Sequence, residues 1–545
     1  MKIAVLSNIN MDLIIRKLKG AGMEVLPQEG FGNELGRMLD KASSYSCYAP
    51  DITFLFTDVL ELIDHEPSER AYESIDKWFN TFRNAIQGKG LYYVANAYVY
   101  GVEKWINPTG LMVEISGYYD RALKSFVSSH KNVRIFPYKQ IMEDLGESVA
   151  INTKTFLMGK ILHTTKATDN ICTEIIHRAE LEERTPKKVL VLDLDNTLWG
   201  GLCGEDDTTP ILLSDSGKGL VYKNFQRVLR MMKDNGVILA IASKNNEADA
   251  LRIIEKHPHM ALKPEDFAAR KIGWFNKDES IRELSKELSL GIDSFVFVDD
   301  SPNERKLVKM NIPEAEVPYF PEDIEKLPEF GLFLYREFFE KPRLTAEDSN
   351  KAKQYSDNVK RKELEAGSKT FDDYLRSLGT VLKKVSPGEN ADRLRDMLNK
   401  TNQFNLTTRR YTHEEISDVL NDPSKTIFMY SARDEFGDSG IIAALIAKRS
   451  ADEVSITDFV MSCRVMGRRI EYAIIDDVED IFRSEGVKTV RGKYVSTAKN
   501  MPVEGLYADL GYELVNEEKT GLEVTKDYIH KLNIIPDRKY YVNWE

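Results

Sequence analysis

The sequence predicts an α/β protein built from three domains, and three observations carry that expectation. Short apolar runs alternate with helix-length amphipathic stretches, the rhythm of a parallel sheet covered by helices. The 545 residues exceed what one hydrophobic core can organise. Charged joints such as "ELEERTPKK" divide the chain into blocks of domain size.

The first domain is expected over residues 1–150, with "KIAVLS", "DITFLFTD", "GLYYVANA" and "NVRIFPY" as its buried strands. A helical connector follows over 151–186. The central domain, 187–325, opens on the strand "KKVLVLDLDNT". It continues through the helix "LVYKNFQRVLRMMKDNG", the strand "VILAIASK" and a helix pair, and closes on the strand "SFVFVDD". A charged stretch poor in β-branched residues, 326–379, reads as a helical linker. The last domain, 380–545, mixes the strands "TIFMYSARD", "SGIIAALIAKR" and "EVSITDFVMS" with a helix in "RRIEYAIIDDVEDIFRSEG".

Bulk properties narrow the function classes. Hydrophobic residues make up 42% and charged residues 30%, the composition of an ordinary globular protein. A net charge of −12 argues against nucleic acid or a membrane surface as partner, since both select a basic face. The N-terminal "MKIAVLSNINMDLII" is apolar too briefly for a signal peptide, and no window has the uncharged apolar run of a membrane span. Cys47, Cys172, Cys203 and Cys463 are scattered and never form CxxC, which argues against a disulfide framework or zinc knuckle. A cytoplasmic location is expected.

In the central block every apolar strand ends in groups suited to phosphate and a hard cation. The first ends in Asp193-Leu-Asp195-Asn-Thr197, the second in Ser243-Lys244-Asn245, and the last in Asp299-Asp300 with Glu304 beyond; Lys277 follows in "GWFNKDES". In an open parallel sheet, ligands bind at the carboxyl ends of the strands, so these groups should converge. Two carboxylates one residue apart at the end of a buried strand are costly without a cation. Three acids within reach of one point make an oxygen cage suited to Mg²⁺, which takes one or two carboxylates plus substrate phosphate. Gaps of roughly 45 residues from the first motif to Ser243-Lys244-Asn245, and of roughly 33 from there to Lys277, leave no room for a large cap domain.

The ordered set resembles the haloacid dehalogenase (HAD) superfamily of phosphotransferases, whose core is a Rossmann-like parallel sheet. The resemblance implies that Asp193 is the nucleophile, forming an aspartyl-phosphate, and that Asp195 handles protons for the leaving group and water. It implies Ser243, Lys244, Asn245 and Lys277 around the phosphoryl group. Mg²⁺ would sit on the carboxylates of Asp193 and Asp300 and the backbone carbonyl of Asp195, with Thr197, Asp299 and Glu304 supporting that shell.

Two further stretches narrow the resemblance. "DNTLWGGLCGEDD" and, in the last block, "NKTNQFNLTTRRYT" with "MSCRVMGRRIE" resemble the FkbH-like proteins of polyketide assembly. That likeness implies 1,3-bisphosphoglycerate as the phosphorylated substrate and an acyl carrier protein, through its phosphopantetheine thiol, as acceptor of a glyceryl unit. The first block resembles, faintly, an SGNH-hydrolase-like domain; Ser7 and Asn8 follow its first strand, but no Asp-x-x-His completes a triad, so a docking role is expected.

The last block resembles the N-acetyltransferase fold, which cradles the CoA pyrophosphate in a turn patterned R/Q-x-x-G-x-G/A. Arg464-Val-Met-Gly467-Arg468-Arg469 keeps the first two elements of that turn only. Arg464, Arg468 and Arg469 either meet the acidic surface of a carrier or form a solvated helix start. Cys463 precedes this basic turn at an expected helix N-terminus and is the candidate thiol for a transient glyceryl thioester; a small core thiol is the competing reading. Asn402, Gln403, Asn405, Arg409 and Arg410 either bind substrate or cap a helix. The rival functions are a plain phosphohydrolase of a sugar phosphate or other phosphometabolite, and an acyltransferase or assembly module with a secondary phosphatase site.

Overall fold

The computed structural model describes residues 1–27, 29–63, 68, 70–86, 90–203, 211–344, 357, 361, 364–521 and 523–545. The chain forms two compact units, one of residues 1–185 and 340–343, the other of residues 186–339 and 344–545. Three sheets organise them.

In the first unit the sheet is all-parallel, in the order β2-β1-β3-β4-β5: β1 (Lys2–Ser7), β2 (Glu24–Val25), β3 (Ile52–Phe56), β4 (Leu91–Ala95) and β5 (Val133–Phe136). Its strands are apolar on both faces because helices cover both. Ile52, Phe54 and Phe56 of β3 join one core, while Leu55 joins the other with Trp78 and Phe82 of α1 (Arg70–Ala85) and Tyr119 and Leu123 of α2 (Leu111–Ser129). The expected connector over 151–186 is not a tether. Its helix α3 (Thr165–Glu183) buries Ala167, Ile171, Cys172, Ile175 and Ala179 in the first unit's core. Ser7 is also buried, its hydroxyl accepting from the Ile9 amide, while Asn8 and Asp58 tie the ends of β1 and β3 by reciprocal bonds of 2.8 Å.

The second unit carries two sheets. The smaller is all-parallel in the order β8-β7-β6-β9: β6 (Val189–Leu192), β7 (Ile238–Ser243), β8 (Phe267–Ile272) and β9 (Phe295–Val298). Helices α4 (Gly217–Asp234), α5 (Glu247–Lys256), α6 (Lys277–Leu288) and α7 (Pro302–Asn311) alternate with the strands in a Rossmann-like arrangement. Among the described residues, no insertion of domain size separates them. β8 lies where the sequence predicts only helices. The predicted linker over 326–379 begins instead as part of this core: in α8 (Leu327–Leu334), Leu327, Phe330 and Leu334 are buried, and Gly331 lets the helix approach α4 so closely that a Cβ would meet Val228 at 2.7 Å.

The larger sheet has eight strands in the order β15-β16-β14-β13-β12-β11-β10-β17. These are β10 (Val381–Lys384), β11 (Lys425–Asp434), β12 (Gly437–Ser450), β13 (Glu453–Met461), β14 (Thr489–Val495), β15 (Glu513–Thr520), β16 (Glu523–Lys531) and β17 (Asn543–Trp544), flanked by α9 (Ala391–Lys400) and α10 (Ile470–Ser484). The parallel pair β13–β14 is hydrogen-bonded only from Glu453–Ile456 to Thr489–Gly492 and then diverges. Residues 404–406 fill the gap. The Leu406 amide donates to Phe459 O, Met461 N to Phe404 O, and Val495 N to Leu406 O, at 2.8–3.2 Å. Each backbone edge exposed by the split is thereby paired from within the chain.

Candidate active site

The loops after β6, β7 and β9 and the start of α6 bring the acids and one lysine to a single point. Each strand is an apolar run whose last turn outward is polar, so burial of the strand fixes the polar residue at the carboxyl edge of the sheet. One carboxylate oxygen each of Asp193, Asp299 and Asp300 lies within 4.8 Å of the others. Asp193 and Asp299 are buried, at 7% and 1% exposure. The only described cation in this cluster is Lys277, at the first position of α6, 2% exposed. Its ammonium donates to Asp193 and to Ala242 O (2.7 Å) and lies 3.1 Å from Asp299.

The charges are not balanced by that lysine. Burial, then Asp299 and Asp193, push the Asp300 carboxyl up to about 6, and burial raises Asp299 despite Lys277. Burial pulls the Lys277 ammonium down, but Asp193 and Asp299 more than restore it, so it stays charged. The Asp299 oxygen that faces Lys277 is buried, and its other oxygen accepts from the Ser301 amide at 2.9 Å. Three crowded carboxylates, two of them buried, with no histidine or cysteine in the cluster among the described residues, are the donor set of a hard divalent cation, and the residues fit Mg²⁺. Asp299, expected in a supporting role, thus belongs to the carboxylate cluster itself.

Asp195 is not one of the three clustered carboxylates. Its carboxylate accepts from the Trp199 indole (2.9 Å), the Cys203 amide (3.1 Å) and the Asn245 amide group (3.2 Å). Asn245, expected on phosphate, also donates to the Ser243 hydroxyl at 3.0 Å, which leaves that hydroxyl's proton free to point into the site. Lys244 and Glu304 pair with each other at 2.6 Å, so neither is held toward the acid cluster. The Thr197 hydroxyl accepts from the Asp300 amide (3.2 Å). Sequence reasoning passed over Arg305, whose guanidinium donates to the carbonyls of Asp299 and Asp300 at 2.7 Å and fixes that turn. Its signal was a basic residue one helical turn beyond the acid pair. Trp199, also passed over, stands four residues after Asp195 in the quoted motif.

The C-terminal candidates serve the fold. Arg468 is buried against Asp434 and its own turn's carbonyl at Arg464; Arg469 pairs with Asp372 at 3.0 Å. Neither presents a free basic surface, which corrects that expectation. Arg464 donates to Ser462. Asn405, 1% exposed, donates to Leu398 and Thr401 carbonyls and accepts from the amides of Thr407 and Thr408. Arg410 binds Leu398 and Asn399 carbonyls and the Asn402 side chain, while Arg409 lies over the Tyr411 ring; Gln403 is exposed. Cys463 sits in a 3₁₀ turn (Cys463–Val465), and α10 starts only at Ile470, so the helix-terminus argument for its reactivity does not hold.

Residues 185–319 match the family model described as Acid Phosphatase. None of the curated proteins matches the chain. Among solved structures, the N-terminal part of a Bacteroides fragilis protein, containing a phosphatase domain complexed with Mg, is 27% identical; the match covers 63% of this chain and 95% of that one with a TM-score of 0.54. The ribosomal-protein-S18-alanine N-acetyltransferase of Escherichia coli matches at 11% identity over 30% of this chain and 99% of that one, with a TM-score of 0.23. Among the described residues, no helix is long and apolar enough to cross a membrane.

Proposed function

We propose that the chain is a Mg²⁺-dependent phosphotransferase of HAD type, in which Asp193 takes up the phosphoryl group. The observation that carries this reading is the Lys277 ammonium buried between Asp193 and Asp299, with Asp300 completing the carboxylate set. The similarity to an acid phosphatase model and to a Mg-bound phosphatase domain supports it. Asp193, Asp299 and Asp300, with the Asp195 carbonyl, would hold the ion, which when bound neutralises charge on the phosphoryl oxygens.

The chain's own groups supply the rest. The Asp193 carboxylate attacks phosphorus as the bond to the leaving oxygen breaks, and Asp195 gives that oxygen a proton. Asp195 then takes a proton from the water that cleaves the aspartyl-phosphate. Ser243 and Lys277 bind the phosphoryl oxygens in both steps. Trp199, Asn245 and the Cys203 amide hold the Asp195 carboxylate in place.

The FkbH-like motifs point to a finer reading. The thiol of a carrier protein attacks the acyl carbon of 1,3-bisphosphoglycerate and expels phosphate, and the phosphate ester left at the third carbon is the substrate of Asp193. Direct transfer to the carrier is favoured over a thioester on Cys463, whose turn is separated from the N-terminus of α10. The acid phosphatase similarity favours a second reading, simple hydrolysis of a small phosphometabolite. A panel of phosphate esters assayed with and without a holo-carrier protein tests both: carrier-dependent turnover supports the first, carrier-independent release the second.

A further inference from the structure

Asp299 and Asp300 follow β9 directly, and in an extended chain neighbouring side chains point to opposite faces. A straight continuation of β9 would bring one of them to the cluster and turn the other away. Yet one carboxylate oxygen of each lies within 4.8 Å of the other and of Asp193. The backbone therefore turns between β9 and α7, and it does so against the mutual repulsion of the carboxylates it gathers.

Three sets of contacts hold that turn. The Asp300 amide donates to the Thr197 hydroxyl (3.2 Å), and the Ser301 amide donates to the Asp299 carboxylate (2.9 Å). The third is the half-buried Arg305 of α7, whose Nη1 lies 2.7 Å from the carbonyl oxygens of both Asp299 and Asp300. Two successive carbonyls that converge on one nitrogen belong to a turned backbone, because in a strand they alternate. The guanidinium also lies over the Tyr319 ring, 5.6 Å from its centre. Among the described residues it forms no ion pair, although two acids of the cluster stand five and six residues before it. Its charge is spent on the backbone of the acids and not on their carboxylates.

We infer that Arg305 is a positioning residue that sets the affinity of the Mg²⁺ site. By gripping both carbonyls it keeps the Asp299 and Asp300 carboxylates gathered before the ion arrives, so the ion meets a preformed site. The inference rests on the proposed metal site at Asp193, Asp299 and Asp300. Its sign separates it from simple electrostatics. A cation beside the site repels the incoming ion, so charge alone predicts tighter Mg²⁺ binding once Arg305 is removed. Loss of the grip predicts the reverse: the turn relaxes, one carboxylate swings away, and the ion has to draw it back at a cost in affinity.

The test is a calorimetric titration of the full chain with Mg²⁺ alone, comparing wild type, Arg305→Met, Arg305→Lys and Asp300→Ala, with melting in EDTA as the control for folding. Methionine keeps the apolar stem and removes both charge and donors. Lysine keeps the charge, but its single ammonium ends short of the guanidinium Nη1. Mg²⁺ should bind Arg305→Met roughly 10–100-fold more weakly than wild type, with Arg305→Lys in between. Equal or tighter binding by Arg305→Met overturns the inference. So does a lower melting point in EDTA with unchanged Mg²⁺ affinity, which is what a merely structural arginine would give. If Arg305→Met does not fold, Arg305→Lys decides, weaker binding supporting the inference and equal binding overturning it. Asp300→Ala tests the underlying site. Weakened binding there, with wild-type affinity in Arg305→Met, leaves the metal site standing and sinks the positioning role alone. Equal binding by wild type and Asp300→Ala, or none by either, sinks the metal site and the inference with it.

Discussion

Replacing Lys277 with methionine keeps the length of the side chain and removes only its charge. The lysine side chain is 3% exposed and faces Asp193 and Asp299, themselves 10% and 1% exposed. Its loss leaves the buried Asp193 and Asp299 and the half-buried Asp300 with no cation between them among the described residues. Removing one partner of a buried ion pair costs about 3–5 kcal/mol, and because both pairs share the same ammonium their costs do not add. For a domain of this size that lowers the midpoint of thermal unfolding by roughly 6–20 °C in EDTA. Saturating Mg²⁺ should recover much of the loss, since ligand at a hundred times its dissociation constant stabilises by about 2.7 kcal/mol. Turnover should not recover, because the donor proposed for the phosphoryl oxygens is absent. Calorimetry of wild type and Lys277→Met, each with EDTA and with Mg²⁺, reads all of this. An unchanged midpoint in EDTA, or destabilisation that Mg²⁺ does not relieve, would refute the view that Lys277 offsets a carboxylate cluster built for a cation.

EDTA should silence turnover of a phosphate ester and Mg²⁺ restore it, and Asp300→Ala should raise the Mg²⁺ concentration for half-maximal rate roughly 10–100-fold; full activity without metal contradicts this. His163 is buried beside the Tyr138 hydroxyl at 2.7 Å, and burial lowers it from 6.5 to about 4. The unfolded chain therefore binds the extra proton between those values. The first unit loses stability as pH falls from 6.5 to 4, by about 3 kcal/mol in all, and none above 6.5. His163→Gln should flatten urea midpoints across that window, and an unaltered pH slope counts against it. Asn405→Leu strands two amides and two carbonyls in the strand split, at a cost of about 2–4 kcal/mol; chemical denaturation followed at Trp544 should show it, and a neutral variant means the split is not held by Asn405.

Much of the central sheet was legible because its strands are unbroken apolar runs that stop on polar residues, as in "VLVLDLDNT" and "FVFVDD". Both signals are local. β8 was not legible: it is an edge strand whose interior is Ala268, Ala269, Arg270 and Lys271, two small residues followed by two that face outward. α3 read as a connector because its buried face is made partly of Ala167, Thr168, Cys172 and Ala179, which carry little hydropathy. The arginines after Cys463 read as a basic surface because their partners are remote in sequence, Asp434 lying 34 residues from Arg468 and Asp372 lying 97 from Arg469. The carboxylate cluster was foreseen as a set, but the division of labour within it was not. Asp299 and Asp300 are neighbours, and only the fold decides which one turns inward.

Asp193 is the group proposed to become phosphorylated. Acid-quenching the full chain during turnover of acetyl phosphate with Mg²⁺, followed by mass spectrometry of the peptide spanning β6, tests it directly. The peptide should carry one phosphoryl group, labile to hydroxylamine and located on Asp193, and Asp193→Asn should lose both the adduct and phosphate release while melting like wild type. Undiminished phosphate release by Asp193→Asn, or an adduct that persists in it, would contradict the assignment.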